Sequence, residues 1–347
     1  MSLKKIAELV GVSPSTVSRV LNNTVSTCAS PELKEKIWEA AHSLNYIPNS
    51  HARNLKTGAH TDTAGYKIAV ILSRFHSLDA DPFFRELFHN IEESLFASSC
   101  LLHSVSASEQ TDLSSLTAAD GVIILGRCPD DFLNQIKKYT RNIVGVDRNP
   151  TDFKMDEIIC NGKTAAVKAM EHLLSLGHQK IGYIGDCSSE SRYVGYCETL
   201  ITHNIPLNYN YICSTDQTFD SGFTAMQTLM QQDITAVFCA NDISALGALK
   251  ALSDPHPAES GRRKTSKANC NLSVISIDNI ALSQTSSPLL TTVNIPKEDM
   301  GRMAVTILLD RIRHRHSEYL HVEFPCKIIE RESCRPAPGC YAIPPHT

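Results

Sequence analysis

Residues 3 to 22, LKKIAELVGVSPSTVSRVLN, restrict the amino-terminal fold more tightly than any other stretch of the chain. Leu3, Ile6, Ala7 and Val10 recur at helical spacing, and Gly11 supplies the backbone freedom a helix needs to stop, so a first helix ends at Val10. Ser13 offers the short side-chain oxygen of an N-cap. Pro14 follows where a missing N–H costs nothing, so a second helix starts there. Val17, Val20 and Leu21 then face the first helix. A third helix is expected from Ser30 or Pro31 to about Leu44, with Leu33, Ile37, Ala40, Ala41 and Leu44 as its apolar stripe.

This arrangement leaves Ser15, Thr16 and Arg19 together on the outer face of the second helix, and no bulky acid accompanies them. Short hydroxyls and a guanidinium on such a face can reach base edges and phosphates in a major groove. An ordinary αα-hairpin produces the same periodicity, so periodicity alone does not separate a DNA-reading element from a packing element. Charge points the same way as the motif. Residues 1 to 60 hold seven Lys/Arg against four Glu, a net +3, and the rest of a chain whose total is −4 carries −7. A basic end on an acidic body suits contact with a polyanion, although charge runs are commonly just solvated faces.

From Tyr66 onward the pattern changes to short apolar runs, KIAVIL, GVIIL, NIVGVD, KIGYIG, AVFCA and SVISID, each followed by a segment of helical periodicity. That alternation specifies an α/β body with parallel sheets. At 347 residues the chain exceeds one small core. In parallel sheets ligands bind beyond the carboxyl ends of strands, which here are Ser73, Gly126, Asp147, Asp186, Asn241 with Asp242, and Asp278 with Asn279. Any one Asp or Asn in this position also serves as an N-cap. As a set they suit hydrogen bonding to a polyhydroxylated ligand rather than chemistry on it.

The phrases IAELVGVSPSTVSRVLNN and, after the third helix, NYIPNSHARNLKTG resemble the headpiece of the lactose/galactose repressor (LacI/GalR) family. The resemblance continues through HLLSLGHQKIGYIG, SRYVGY, VFCANDISALGALKAL, VISIDN and PLLTTVNIPKEDMGRMAVTILLDRI, to about residue 331. It implies that Ser15, Thr16, Arg19 and Asn22 meet the major groove. It further implies that Leu55 wedges into the minor groove of double-stranded operator DNA, with Ser50, Ala52, Arg53 and Lys56 lining that groove. Such a segment is too short to be helical alone and would order on DNA beside its dimer mate. A plain linker over residues 47 to 64 is the alternative, since Pro48, Gly58 and several Thr and Asp residues suit one.

In the body the resemblance implies that Asp147, Arg192, Asn241 and Asp278 contact a small effector. Phe83, in the phrase DADPFFREL, is a further candidate, either stacking on the apolar face of a sugar or buried in the core. That phrase is similar to the galactoside-responsive branch that includes the evolved β-galactosidase repressor. Two positions depart from the family pattern. Gln217 stands where relatives often place an aromatic, and Cys160 replaces a frequent Asp.

The expected organisation is a helix-turn-helix headpiece over 1–46, a hinge or linker over 47–64, and a two-lobed body like the periplasmic binding proteins over 65–334. The first lobe takes about 65–161 and 288–324, the second about 162–287 and 325–334, and a flexible tail follows over 335–347. The three crossings frame an interlobe cleft, and the segment from Asp254 to Asn269 reads as a long surface loop. The Pro-rich tail lacks leucine heptads, so a homodimer is expected rather than a tetramer.

The function expected is that of an allosteric transcriptional repressor of a carbohydrate-utilisation operon, controlled by a small carbohydrate effector such as a galactoside, with no cofactor, catalysis or membrane partner. Lys4 and Lys5 precede an amphipathic rather than a continuous apolar run, which points to the cytoplasm. Twelve cysteines are scattered, and Cys187 with Cys197 or Cys334 with Cys340 lack the C-x-x-C spacing of metal or redox sites, so no metal is expected. A transport-type sugar receptor shares the two-lobed body and is the rival reading. A doubly wound enzyme is less consistent, because no G-x-G-x-x-G, Walker lysine loop or nucleophile elbow follows a strand.

Overall fold

In the computed structural model, the described residues are 3–21, 29–30, 33–34, 36–37, 40–41, 65–73, 77–147, 154–188, 190–254 and 272–339. The headpiece opens with α1 (Leu3–Val10) and α2 (Pro14–Leu21). Between them Gly11 takes a φ of 72°, and the Val12 N–H donates to the Ala7 carbonyl at 3.0 Å, closing the end of α1 through a left-handed residue. Ser13 caps α2, its Oγ accepting from the Thr16 N–H at 3.1 Å. Helical backbone also covers residues 33–34, 36–37 and 40–41, and the Ser30 Oγ accepts from the Leu33 N–H at 3.3 Å. Ile6, Ala7, Val17, Val20, Leu21, Ile37 and Ala41 form one buried cluster. The remainder of the expected third helix, Asn22 and the whole hinge segment from Ser50 to Lys56 lie outside the described residues.

The body begins with β1 (Lys67–Leu72), α3 (Pro82–Ala97), β2 (Leu101–Ala107), β3 (Gly121–Leu125), α4 (Asp130–Ile136), β4 (Ile143–Asp147) and β5 (Asp156–Ile159). It continues through α5 (Gly162–Ser175), β6 (Ile181–Gly185), α6 (Ser191–Thr202), β7 (Ile212–Ser214), α7 (Phe219–Leu229), β8 (Ala236–Cys239), α8 (Asp242–Ser253) and β9 (Ser273–Asp278). It ends with β10 (Thr291–Asn294), α9 (Lys297–Ile312), β11 (His321–Glu323) and β12 (Lys327–Ile329). One sheet has the order β11-β5-β4-β3-β1-β2, the other β12-β10-β9-β8-β6-β7. The pairings of β1 with β2 and β3, of β6 with β7 and β8, and of β9 with β8 and β10 are parallel, while β12 runs antiparallel on its edge. Strands covered on both faces read as near-continuous apolar runs. Accordingly β3, β4, β6, β8 and β9 are buried at every position.

Packing divides the chain into two units, one of Met1–Val146, Thr151–Ile158 and Lys297–His321, the other of Asp147–Pro150, Ile159–Pro296 and Val322–Thr347. The return expected near Pro288 falls instead at Lys297, because β10 still pairs in parallel with β9 and belongs to the second sheet. The segment expected to start a flexible tail at 335 is held at its beginning. The Arg335 carbonyl accepts from His178 Nε2 at 2.8 Å, the Ala337 N–H donates to the Leu176 carbonyl at 2.8 Å, and Ala337 is buried. Most of the expected long loop, residues 255 to 271, lies outside the described residues.

Candidate functional site

Two groups of side chains carry the chemistry, one in the headpiece and one in the second unit. On α2, Ser15 and Arg19 are exposed and Thr16 is half-buried, while Val17, Val20 and Leu21 are buried. The Ser13 hydroxyl lies 2.7 Å from the Ser15 hydroxyl and 2.8 Å from that of Thr16, so the cap orients both of its neighbours. The outward set at the start of α2 is therefore presented by the same residue that starts the helix.

In the second unit the loops after the strands of the sheet converge on Arg192, which is fully buried near the start of α6. Its Nη2 donates to Glu190 Oε2 at 2.6 Å and to Gln217 Oε1 at 3.0 Å, and its Nη1 donates to the Ala240 carbonyl at 2.6 Å. Burial works against the guanidinium charge, but the Glu190 carboxylate beside it outweighs that and holds Arg192 above its ordinary range. Gln217, at a left-handed φ of 64°, uses its carbonyl to accept from Asn241 Nδ2 at 3.0 Å. The other end of the Asn241 amide caps α8, accepting from the Ser244 N–H at 3.0 Å. Asn241 is thus both the cap foreseen as its ordinary role and a member of the wall.

Asp242, the first residue of α8, is fully buried. It accepts from Ser276 Oγ at 2.5 Å, from Thr292 Oγ1 at 2.6 Å and from the Ile280 N–H at 2.8 Å. Burial, and next the charge of Asp278, push this carboxyl up to about 7, against the hydrogen bonds from Ser276 and Thr292. Asp278 and Asn279 close β9 with φ values of 124° and 50°, two successive left-handed residues without a glycine. Non-glycine backbone of this kind costs free energy and persists where the surroundings impose it. Here Asn279 donates to Asn294 Oδ1 at 2.8 Å and accepts from Arg331 Nη2 at 2.7 Å.

Close helix packing brings these ends together. A Cβ on Gly222 would stand 2.1 Å from the Ser244 carbonyl oxygen, and one on Gly247 2.0 Å from that of Phe219, so α7 and α8 approach to a distance only glycine permits. Gln217 just before α7 and Asn241 just before α8 are neighbours for that reason.

Of the body residues expected at the site, Arg192, Asn241 and Asp278 lie in this cluster. Asp147 is buried at the end of β4, and its carbonyl accepts from the Cys160 N–H at 3.3 Å. Phe83 belongs to the other unit and is buried on α3, edge to face with Phe84 at 5.1 Å and under the Lys297 ammonium at 5.6 Å. Asp186 turns its carboxylate to the Ser188 N–H at 2.8 Å and so serves its own turn. Sequence reasoning passed over Glu190 and marked Asp242 only as a strand-end position beside Asn241, not as an effector contact. The signal for Asp242 was its place beside Asn241 at the start of a helix.

The nine described cysteines are free, five of them buried. Cys160 and Cys326 share a thiol hydrogen bond, which pulls Cys326 down to about 7 and pushes Cys160 up. Among the described residues no group of three or more His, Cys, Asp or Glu could hold a metal, and no helix is long and apolar enough to cross a membrane.

A helix-turn-helix bearing exposed hydroxyl and guanidinium groups, followed by an α/β body with a polar wall at its strand ends, defines the class of ligand-controlled DNA-binding regulators. The model of bacterial regulatory proteins of the lacI family matches residues 2–49, and that of the periplasmic binding proteins and sugar binding domain of the LacI family matches 67–332. The chain is similar to the HTH-type transcriptional repressor PurR of Photorhabdus laumondii, with 32% identity over 350 residues and 96% of each chain covered. It is 30% identical over 349 residues to PurR of Aliivibrio salmonicida, covering 96% of this chain and 98% of that one.

Among solved structures, the complex of the transcriptional regulator CelR with cellobiose matches at a TM-score of 0.64 and 26% identity, covering 96% of this chain and 100% of that one. The Lac repressor dimer bound to operator and the anti-inducer ONPF matches at 0.61 and 26% identity, with 96% and 98% covered. The chain belongs to the LacI family of bacterial regulatory proteins, and it is a DNA-binding transcriptional repressor of that family, not an enzyme. The curated relatives named here are PurR proteins, which supports the family as a whole rather than its lactose/galactose branch.

Proposed function

We propose that this repressor governs a carbohydrate-utilisation operon, binds a near-palindromic operator as a homodimer, and changes its operator affinity when a small sugar occupies the wall of the second unit. A galactoside is the first candidate, on the strength of the phrase Asp81-Pro82-Phe83-Phe84. The observation that carries the reading is the buried network of Arg192, Glu190, Gln217, Asn241 and Asp242 at the strand ends, a set of fixed donors and acceptors for hydroxyl groups. Asp278, Asp147 and Phe83 complete the proposed contacts. On the DNA side Ser15, Thr16, Arg19 and Asn22 read the major groove, and Leu55 opens the minor groove, flanked by Ser50, Ala52, Arg53 and Lys56. A coupling of about 1–3 kcal/mol between the two sites changes operator affinity roughly 5–150-fold.

Gel shift with the chain's own upstream region tests both halves. Operator affinity falls steeply with salt, and a sugar that raises the melting temperature also moves the shift. Leu55→Ala weakens the shift while the sugar still raises the melting temperature. Salt-insensitive binding, or a panel of sugars that leaves both measurements unchanged, overturns the reading.

A further inference from the structure

The thiols of Cys160 and Cys326 meet where two neighbouring strands end. Cys160 directly follows β5, and Cys326 lies between β11 and β12. β5 and β11 are adjacent at the edge of the first sheet, and beyond them the Phe324 N–H donates to the Ile159 carbonyl at 2.8 Å. One residue past Ile159 and two past Phe324, the Cys160 S–H donates to the Cys326 sulfur. The chain also passes from one packing unit to the other on these two segments, at Ile158–Ile159 and at His321–Val322, so both cysteines belong to the second unit just inside its boundary.

Burial and charge give the two thiols different roles. Cys160 is fully buried and Cys326 is 5% exposed, so a water-sized oxidant reaches Cys326 first. The hydrogen donated by Cys160 and the Lys168 ammonium favour a thiolate on Cys326, against burial and the Glu323 carboxylate. That same bond, burial and the charges of Glu323 and Asp278 keep Cys160 protonated. Burial pushes up each of the other seven described cysteines, which sets Cys326 apart as a nucleophile.

We propose that Cys160 and Cys326 join in a reversible disulfide when the folded chain meets a peroxide, a crosslink that fastens two entries of the chain into the second unit to one another. The Cys326 thiolate attacks one oxygen of hydrogen peroxide, an S–O bond forms as the O–O bond breaks, and the departing hydroxide takes up the proton Cys326 had released and becomes water. The Cys160 sulfur then attacks the sulfur of the Cys326 sulfenic acid. An S–S bond forms as S–O breaks, and the hydroxyl group leaves with the Cys160 proton as a second water. Two electrons pass from the sulfurs to the peroxide, and an external dithiol returns them. In a reducing compartment such a bond is transient and reports oxidation.

Peptide mapping without reductant, after brief treatment of the full chain with hydrogen peroxide and alkylation of the remaining thiols, tests the proposal. A disulfide-joined peptide carrying Cys160 and Cys326 forms ahead of any other cysteine pair and disappears with dithiothreitol. Because the bond forms between native neighbours and constrains the unfolded chain, the oxidised protein melts several degrees above the reduced one. Both thiols surviving while other cysteines oxidise, Cys326 pairing elsewhere, or a crosslinked chain that melts no higher each overturns the proposal.

Two variants separate the roles, with gel shift on the upstream region showing that each is folded. In Cys160→Ser the reaction stops at the Cys326 sulfenic acid, which dimedone traps, and in Cys326→Ser the Cys160 thiol stays reduced. Oxidation of Cys160 in Cys326→Ser as fast as in the parent overturns the assignment. Alanine at either position repeats the test where the serine variant does not fold.

Discussion

The headpiece and the wall of the second unit solve opposite recognition problems. On α2 the groups proposed to read DNA stand outside a small apolar core, with Arg19 and Ser15 exposed and Ser15 held by the capping Ser13. In the second unit the groups proposed to meet the effector are themselves part of the interior, and Arg192 is fully buried among its partners. A duplex is a large polyanion that can be met by solvated side chains, whereas a small ligand must be enclosed by groups already fixed in place. Recognition and stability are therefore separable in the headpiece and inseparable in the wall.

The largest expected effect tests that inseparability. Arg192→Ala leaves Glu190 buried without its cation and lowers stability by about 3–5 kcal/mol, seen as a large fall in melting temperature together with loss of the ligand response. Operator binding well below the new melting temperature is retained. A variant that loses only the ligand response breaks the comparison.

Gly247→Ala comes next. Its Cβ meets the Phe219 carbonyl and forces α7 from α8, costing about 1–3 kcal/mol or more, measured by denaturant titration, with weaker ligand binding because Gln217 and Asn241 separate. Arg19→Ala is the contrasting case. It costs about 1–3 kcal/mol of operator affinity and relaxes base preference, while the melting temperature stays within a degree or so of the parent.

The smallest effect is a slope with pH. Asp242 sits near 7 in the folded chain against an ordinary value of 3.8. Between those values the folded state keeps a proton that the unfolded state has lost. Stability is therefore fully present below the lower value and falls as pH rises through the upper one. From pH 6 to 8 this amounts to about 1 kcal/mol, readable as a drift in melting temperature. Asp242→Asn or Asp278→Asn flattens the drift, and no such change is expected from substitutions on α2.

The parts that sequence reading recovered are those with strong local signals. Val10, Gly11, Ser13 and Pro14 mark the helix ends where they are found, because capping is decided by a few adjacent atoms. The runs KIAVIL, GVIIL and SVISID coincide with β1, β3 and β9, because doubly covered strands have no polar face to confuse the pattern. The strands that escaped notice are β2, β5, β7, β10, β11 and β12. In β5 the buried residues include Asp156 and Glu157, and Asp156 is tolerated because distant partners meet it, Arg311 Nη2 from α9 at 2.7 Å from Oδ1, His316 Nε2 at 3.0 Å from Oδ2 and the Leu320 N–H at 2.8 Å from Oδ1. A carboxylate in a four-residue run reads as a loop until its distant partners are known. The effector wall divides in the same way. Asn241, Asp242 and Asp278 were legible as strand-end positions and Arg192 through family resemblance, whereas Glu190 entered only through its contact with Arg192.

The sequence by itself determined the six strands that read as apolar runs, the two helices of the headpiece, the parallel character of the sheets and the outward placement of Ser15 and Arg19, all of which follow from short-range periodicity and caps. Only the tertiary structure decided which strand-end residues meet and in what state of charge. Arg192, Gln217, Asn241 and Asp278 are far apart along the chain, and their hydrogen bonds and mutual fields exist only after the helices have packed and water has been excluded.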